Sequence, residues 1–373
     1  MFPPFWGFPT SANPLLEEIQ RELDRMRGRW DAGFRTMLNS DRPLVARTPA
    51  DVVYSNDKML LHYRPIVDRP YPVPLLIVPS LLNRSYLLDL MPGRSLVEYL
   101  VGQGIDVYLI NWGTPGPEDR STTFDQHITG YLRRAVQRVR ALSGQQQISL
   151  LGYSMGGVFT AIFSALYPHY VGNLIQVAAP VNFHDDGVLS QWTRKDRFNV
   201  DLVVDTLGAM PAALMQASFR MLKPLHEIVQ QIALAEQRDD TEVLQDWLMM
   251  QTWIDDNIPF LGEAYRSYIK DCYQENDLVQ GRLLVSGKRV DLSQIAAALL
   301  TITAAKDQMC PPHSAAVLND LVASKDKQLL EAAGGHISLV AGRAAPHQLW
   351  PRLAEWLAAR SAAQPFDAAA DEQ

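Results

Sequence analysis

The chain has 373 residues, 47% hydrophobic and 20% charged, with 34 Lys and Arg against 41 Asp and Glu and a formal net charge of -7. That length fits one large α/β domain with an insertion or two modest domains, and the composition is that of an ordinary globular enzyme. An acidic chain with no basic stripe argues against a nucleic-acid partner, two cysteines (Cys272 and Cys310) imply no disulfide framework, and no apolar run approaches the ~20 residues of a membrane-spanning helix. The start, Met1-Phe2-Pro3-Pro4-Phe5-Trp6, lacks the basic and continuously apolar regions of a signal peptide, so the cytoplasm is the expected compartment.

Residues 1–12 are rich in Pro, Phe and Trp and read as a tail. Asn13-Pro14 offers an N-cap and a first-turn proline. Leu15, Leu16, Ile19, Leu23 and Met26 follow at helical spacing, which predicts an amphipathic helix over 14–26. Residues 1–50 are thus a tail and helix ahead of the main fold. A hairpin is expected from residues 52–54 and 59–63 around Ser55-Asn56-Asp57. Apolar runs at 73–78, 105–110, 148–151 and 174–178 read as buried strands, with helices at 94–102 and after 154. Alternation of this kind means a mostly parallel sheet covered by helices on both faces.

The rhythm stops near 181 and resumes with strands at 299–303 and 328–332. In between, helices are predicted at 200–210, 212–222, 241–251 and 261–273, rich in Met, Trp and Leu at core-like spacing. A helical insertion at that place is expected to be a cap or lid over 181–292. The catalytic core is then 51–180 and 293–360, and the Ala/Asp/Glu-rich residues 361–373 are a fraying tail.

One stretch organises the rest: Gly152-Tyr153-Ser154-Met155-Gly156, between the apolar run 148–151 and a helical segment. Strand, G-x-S-x-G, helix is the context of a nucleophile elbow, so the fold class is the α/β-hydrolase fold. The turn lifts the Ser154 hydroxyl out of the sheet, and side chains at Gly152 or Gly156 would collide with neighbouring backbone. A serine hydroxyl needs a base to take its proton, and the base needs a third group to orient it. In the chain order Ser, Asp, His, the candidates are Asp307, after the strand at 299–303, and His336 in Gly334-Gly335-His336, after the strand at 328–332. His62, His127, His169, His184 and His226 precede the acid. His313 and His347 lie near helices, and Asp271, Asp277 and Asp291 fall in or near the cap. The oxyanion hole calls for the N–H of Met155 and a second donor from the loop after 73–78, Leu82 or Asn83. No H-E-x-x-H or G-x-x-x-x-G-K string is present, and no metal or bound cofactor is expected.

Several longer stretches resemble the polyhydroxyalkanoate synthases. They are Asn83-Arg84-Ser85-Tyr86-Leu87-Leu88-Asp89-Leu90 with Gly93-Arg94-Ser95, residues 104–113, Ala179-Pro180-Val181-Asn182-Phe183, residues 205–211, Leu222-Lys223-Pro224, and Gly335-His336-Ile337. The likeness runs from about 53 to 357, cap included, and is similar to the class III catalytic subunit. The resemblance implies transfer of (R)-3-hydroxyacyl groups from a coenzyme A thioester to a growing polyester chain. It also implies a second synthase subunit or a homodimer as partner, and work at a polymer granule surface. The nucleophile, base and acid roles would fall on Ser154, His336 and Asp307. Two residues depart from the family: its nucleophile is a cysteine where this chain has Ser154, and it usually has a histidine where this chain has Gln308. A serine pulls the expectation toward an esterase, thioesterase or depolymerase, and a non-catalytic granule-associated relative is the third reading.

Overall fold

The computed structural model describes residues 45–56, 58–65, 67, 70–221 and 241–362. The helix expected over 14–26, the stretch Leu222-Lys223-Pro224, His226 and residues 363–373 lie outside them.

Eight strands form one sheet in the order β1-β2-β4-β3-β5-β6-β11-β12. β1 (Asp51–Asn56) and β2 (Lys58–Tyr63) are the expected hairpin, antiparallel, with a bulge between Val52 and Tyr54. β2 also pairs antiparallel with β4 (Val107–Asn111), and from β4 onward every neighbour is parallel. β3 (Leu75–Val78) lies between β4 and β5 (Ile148–Tyr153), with β6 (Val171–Val177) beyond. β3 starts two residues later than predicted because Pro74 has no N–H to give a ladder; its carbonyl instead accepts from Ser149 N–H at 2.9 Å. β3 and β5 are buried at every position, as continuous apolar runs inside a parallel sheet require. Alternate residues feed opposite faces. Leu76, Val78 and Leu150 join one apolar cluster with the helix Met155–Leu166, and Leu75, Ile77 and Leu151 join another with Trp350, Leu353 and Leu357 of the helix Trp350–Ala358.

The connection from β4 to β5 holds a helix that the sequence analysis leaves unassigned, π-helical over Gln126–Leu132 and α-helical over Arg133–Ser143. Ile128, Leu132, Val136 and Val139, all fully buried, recur at helical spacing and are the signal for it.

Between β6 and β11 (Ala298–Ala304) the chain leaves the sheet. Its described helices include Val200–Leu207, Ala212–Met221, Thr241–Asp255 and Gly262–Ser267, the last continuing as a π-helical segment, Tyr268–Gln274. The helix predicted over 200–210 stops at Leu207, where Gly208 turns left-handed at φ 72. The next two residues become β7 (Ala209–Met210), paired with β8 (Phe260–Leu261). A second small pair, β9 (Leu284–Val285) and β10 (Lys288–Arg289), follows. The sheet then resumes with β11 beside β6 and β12 (Lys327–Ala332) at the edge.

Candidate active site

Chain order in the sheet reverses at β3, and open α/β sheets bind ligands at such a point, beyond the carboxyl ends of the strands, here β3 and β5. Ser154 stands there, between β5 and the helix Met155–Leu166, at φ 54 and ψ -125. Such a conformation costs a non-glycine residue on the order of 1–3 kcal/mol and persists where its surroundings over-determine it. Here they do. A Cβ on Gly152 would overlap Gly157 Cα and Thr160 Oγ1, and one on Gly156 would overlap the Val78 carbonyl. Strand and helix therefore meet at backbone contact. The Ser154 N–H donates to the Val177 carbonyl, and the Gly157 N–H to the Ser154 carbonyl, each at 2.9 Å.

Behind the turn, buried Thr160 Oγ1 accepts from Gln176 Nε2 at 2.9 Å and donates to the Gly157 carbonyl at 3.0 Å. Neither residue stands out in the sequence as part of the site. A lone amide in the apolar run Leu174-Ile175-Gln176-Val177 was the visible sign of Gln176.

Asp307 and His336 arrive on the loops after β11 and β12, and the structure brings them together. His336 Nδ1 donates to Asp307 Oδ2 at 2.7 Å, with the side chains 9% and 0% exposed. Asp307 Oδ1 accepts from the N–H groups of Met309 at 2.9 Å and Cys310 at 3.0 Å, so both carboxylate oxygens have donors. With Nδ1–H given to the carboxylate, Nε2 is the basic nitrogen of His336. The two loops are stitched to each other by Ala305 N–H to the Ala332 carbonyl at 2.9 Å and Lys306 N–H to the Gly334 carbonyl at 2.8 Å. Ser338, also missed from sequence, braces the histidine turn: its Oγ accepts from Gly335 N–H at 2.9 Å and donates to the Gly335 carbonyl at 2.6 Å.

Tyr153, the residue before Ser154, packs against His336 with ring centroids 5.3 Å apart, and its hydroxyl points at the His336 carbonyl 3.5 Å away. Burial, and then the charge of Asp307, push this phenol well above its ordinary range, so it stays neutral. Gln308 is exposed.

The loop after β3 carries the other proposed donor. Leu82 N–H already donates to Ser80 Oγ at 3.2 Å. Asn83 N–H and Met155 N–H have no acceptor among the described residues, so Asn83 is the better of the two candidates in this loop. Trp112 Nε1 donates to the Pro79 carbonyl at 3.0 Å and fixes the root of the loop.

Several of the rival groups have other partners. His62 bonds Asp106 at 2.6 Å, and His184 bonds the Gln274 carbonyl at 3.2 Å. His313 lies 3.3 Å from Asp186 at the surface. His127 is buried against Trp112 and Phe159 with Nδ1 on the Thr123 carbonyl, and burial lowers its pKa to about 4. Asp271 is half-buried on Tyr268–Gln274, and burial followed by repulsion from Asp277 and Asp125 raises its pKa to about 6.

Residues 73–342 match the α/β hydrolase fold family, and residues 38–100 match the N-terminus of poly-beta-hydroxybutyrate polymerase (PhaC). A poly(3-hydroxyalkanoate) polymerase subunit PhaC from Haloferax mediterranei is 38% identical over 91% of this chain and 72% of its own. The chain belongs to the poly(3-hydroxyalkanoate) polymerase family. The corresponding subunits of Allochromatium vinosum and Synechocystis sp. are each 36% identical over 94% of this chain, covering 99% and 96% of their own lengths. Among solved structures, BpoC from Mycobacterium tuberculosis superposes with a TM-score of 0.51 at 15% identity, over 86% of this chain and 98% of that one, a likeness of fold alone. No helix among the described residues is long and apolar enough to cross a membrane.

Proposed function

We propose that the protein is a polyhydroxyalkanoate synthase-like acyltransferase, moving (R)-3-hydroxyacyl groups from coenzyme A to a polyester chain through an acyl-Ser154 ester. The observation that carries this reading is the family relationship over almost the whole chain, cap included. The hydrogen-bonded Asp307–His336 pair beside the residue that precedes Ser154 supports the roles. His336 Nε2 takes the Ser154 Oγ proton as Oγ attacks the thioester carbonyl. The N–H groups of Met155 and Asn83 hold the resulting oxyanion, and such donors are each worth about 10²–10³ in rate. The C–S bond breaks and His336 returns the proton to the coenzyme A sulfur. The hydroxyl at a chain end then attacks the Ser154 ester, passes its proton to His336, and Ser154 Oγ leaves with that proton. Asp307 holds the imidazole in the tautomer that both steps need. The reading calls for no cofactor beyond the coenzyme A thioester, which is substrate. It places the enzyme in the cytoplasm at a polymer granule, with a second synthase subunit or a second copy as partner.

Ser154 itself favours a second reading, hydrolysis. A cysteine acyl-enzyme is a thioester, and passing its acyl group to a hydroxyl runs downhill. A serine acyl-enzyme is an oxygen ester, nearly isoenergetic with the polyester bond, so water competes better for it. Purified protein given (R)-3-hydroxybutyryl-CoA, with the acyl product analysed by mass, separates the two. Oligomer or polymer is expected, and free 3-hydroxybutyrate as the sole product would assign the protein to the hydrolases. In Ser154→Cys the ratio of polymer to free acid should rise.

A further inference from the structure

The loop 79–86 is anchored at its two ends by different parts of the molecule. Its root is held within the core by Trp112, as described above. Its far half is held by the end of the cap helix Thr241–Asp255 and the two residues after it. Asn83 Nδ2 donates to Asn257 Oδ1 at 2.7 Å, and the Asn257 amide is itself fixed because Nδ2 donates to the Ile254 carbonyl at 2.7 Å. Asp256 spends both carboxylate oxygens on the loop, Oδ1 on Arg84 Nε at 3.0 Å and Oδ2 on the Tyr86 hydroxyl at 3.1 Å. Trp253, 5% exposed, donates its Nε1–H to the Arg84 carbonyl at 3.1 Å. Apolar packing adds to these bonds, since Leu81 shares one buried apolar cluster with Phe260 and Leu261.

We propose that Asp256 and Asn257 are positioning residues for acyl transfer: by fixing Asn83 and Arg84 from the cap side they set the backbone N–H that meets the oxyanion. The inference rests on the reading of Asn83 N–H as the second oxyanion donor. None of Trp253, Asp256 and Asn257 needs to touch the reacting atoms. Seating of the last turn of the cap helix becomes a condition for a complete oxyanion hole, so the cap contributes to the chemical step as well as to substrate enclosure. A displacement of about 1 Å at such a donor is enough to cost ~10²-fold in rate. Two side-chain amides locked to each other and one carboxylate locked by an arginine and a phenol give the geometry several independent supports, and each can be removed singly.

The test uses the full chain and two readouts. Asp256→Ala and Asn257→Ala should each lower kcat for coenzyme A release from (R)-3-hydroxybutyryl-CoA by about 10–100-fold while leaving KM within about threefold, because a misplaced oxyanion donor is felt in the transition state and little in the bound substrate. Amide hydrogen exchange over residues 79–86 should quicken in the same variants, and this is read whatever the turnover. Tyr86→Phe, which deletes one hydrogen bond without changing shape, should show a kcat loss of about two- to fivefold, and guards against a variant that fails to fold. An unchanged kcat, unchanged exchange over 79–86, or a rise in KM with kcat intact in these variants would overturn the proposal. Ser154→Ala separates this from the underlying reading: if it still releases coenzyme A, the acyl-serine mechanism fails, whereas an inert Ser154→Ala beside a fully active Asp256→Ala sinks the positioning role alone.

Discussion

The two halves of the candidate active site are built by different means. Ser154 is held by contact, with strand and helix backbones so close at Gly152 and Gly156 that neither position has room for a methyl group. Asp307 and His336 are held by hydrogen bonds between two loops, with Ser338 and the Met309 and Cys310 amides as braces. Backbone contact leaves no slack for an added atom. A hydrogen-bonded turn accepts an added methyl where space exists, but loosens when a donor or acceptor is removed. The Ser154 side should therefore be intolerant of volume, and the Asp307–His336 side intolerant of lost polar groups.

The largest effect is expected for Ser154→Ala, which should lower coenzyme A release by at least ~10⁴-fold while leaving the melting temperature within a degree or two, since the Cβ is retained. Gly156→Ala comes next. Its methyl would enter the Val78 carbonyl, and overpacking of this order costs about 3 kcal/mol or more, so calorimetry should show a melting point lower by several degrees and turnover should be lost with it. Gly335→Ala sharpens the contrast, because its methyl meets nothing nearer than the Lys306 carbonyl at 3.7 Å. It should melt within about 1 °C of the parent, since the added methyl makes only ordinary van der Waals contact, and an effect as large as that of Gly156→Ala would break the comparison.

Ser338→Ala removes the brace from the histidine turn. A kcat lower by about 10-fold with little change in melting point is expected, because slight misplacement of a catalytic group is costly. The smallest effect concerns the rival carboxylate. Asp271 has its folded pKa raised to about 6, so the folded state binds a proton that the unfolded chain has already lost, and the group lowers stability as pH rises through 6. Asp271→Asn should thus raise the melting temperature at pH 8, by no more than a degree or two given partial exposure, and the gain should vanish by about pH 4. Turnover within threefold of the parent is expected, and a large loss would favour Asp271 over Asp307 as the acid. His127 runs the other way. Its folded pKa of about 4 lies below the unfolded value, so its contribution to stability is lost as pH falls from about 6.5 toward 4, and His127→Gln should flatten that limb of a melting-temperature profile.

Much of this was legible in the chain because the constraints are local. The elbow is written in five consecutive residues, the hairpin in two short runs around Ser55-Asn56-Asp57, and the buried strands as apolar runs. Asp307 and His336 were reachable from chain order and their place after strands, though their 2.7 Å bond was not. What stayed hidden depends on partners distant in sequence. Gln176 matters through Thr160, Ser338 through the turn of Gly335, and the hold on Asn83 through Asn257. A polar residue announces only that it needs a partner; the fold decides which. Gly208 was in plain view within the helix expected over 200–210, yet its left-handed turn shows only once β7 is seen pairing with β8.

The place of β11 in the sheet has a consequence for how the molecule comes into being. β5, its neighbours β3 and β6, and β4 beyond β3 all lie before residue 178, so the elbow can assemble from the first half of the chain. β11 must lie against β6, and residues 178–297 intervene between them. That long closure costs entropy before its contacts exist, which makes it a late event, and on the ribosome the residues after 298 emerge well after the elbow. A nascent chain therefore carries its strained serine without the histidine proposed as its base. The proposed reactivity waits until β11 and β12 dock.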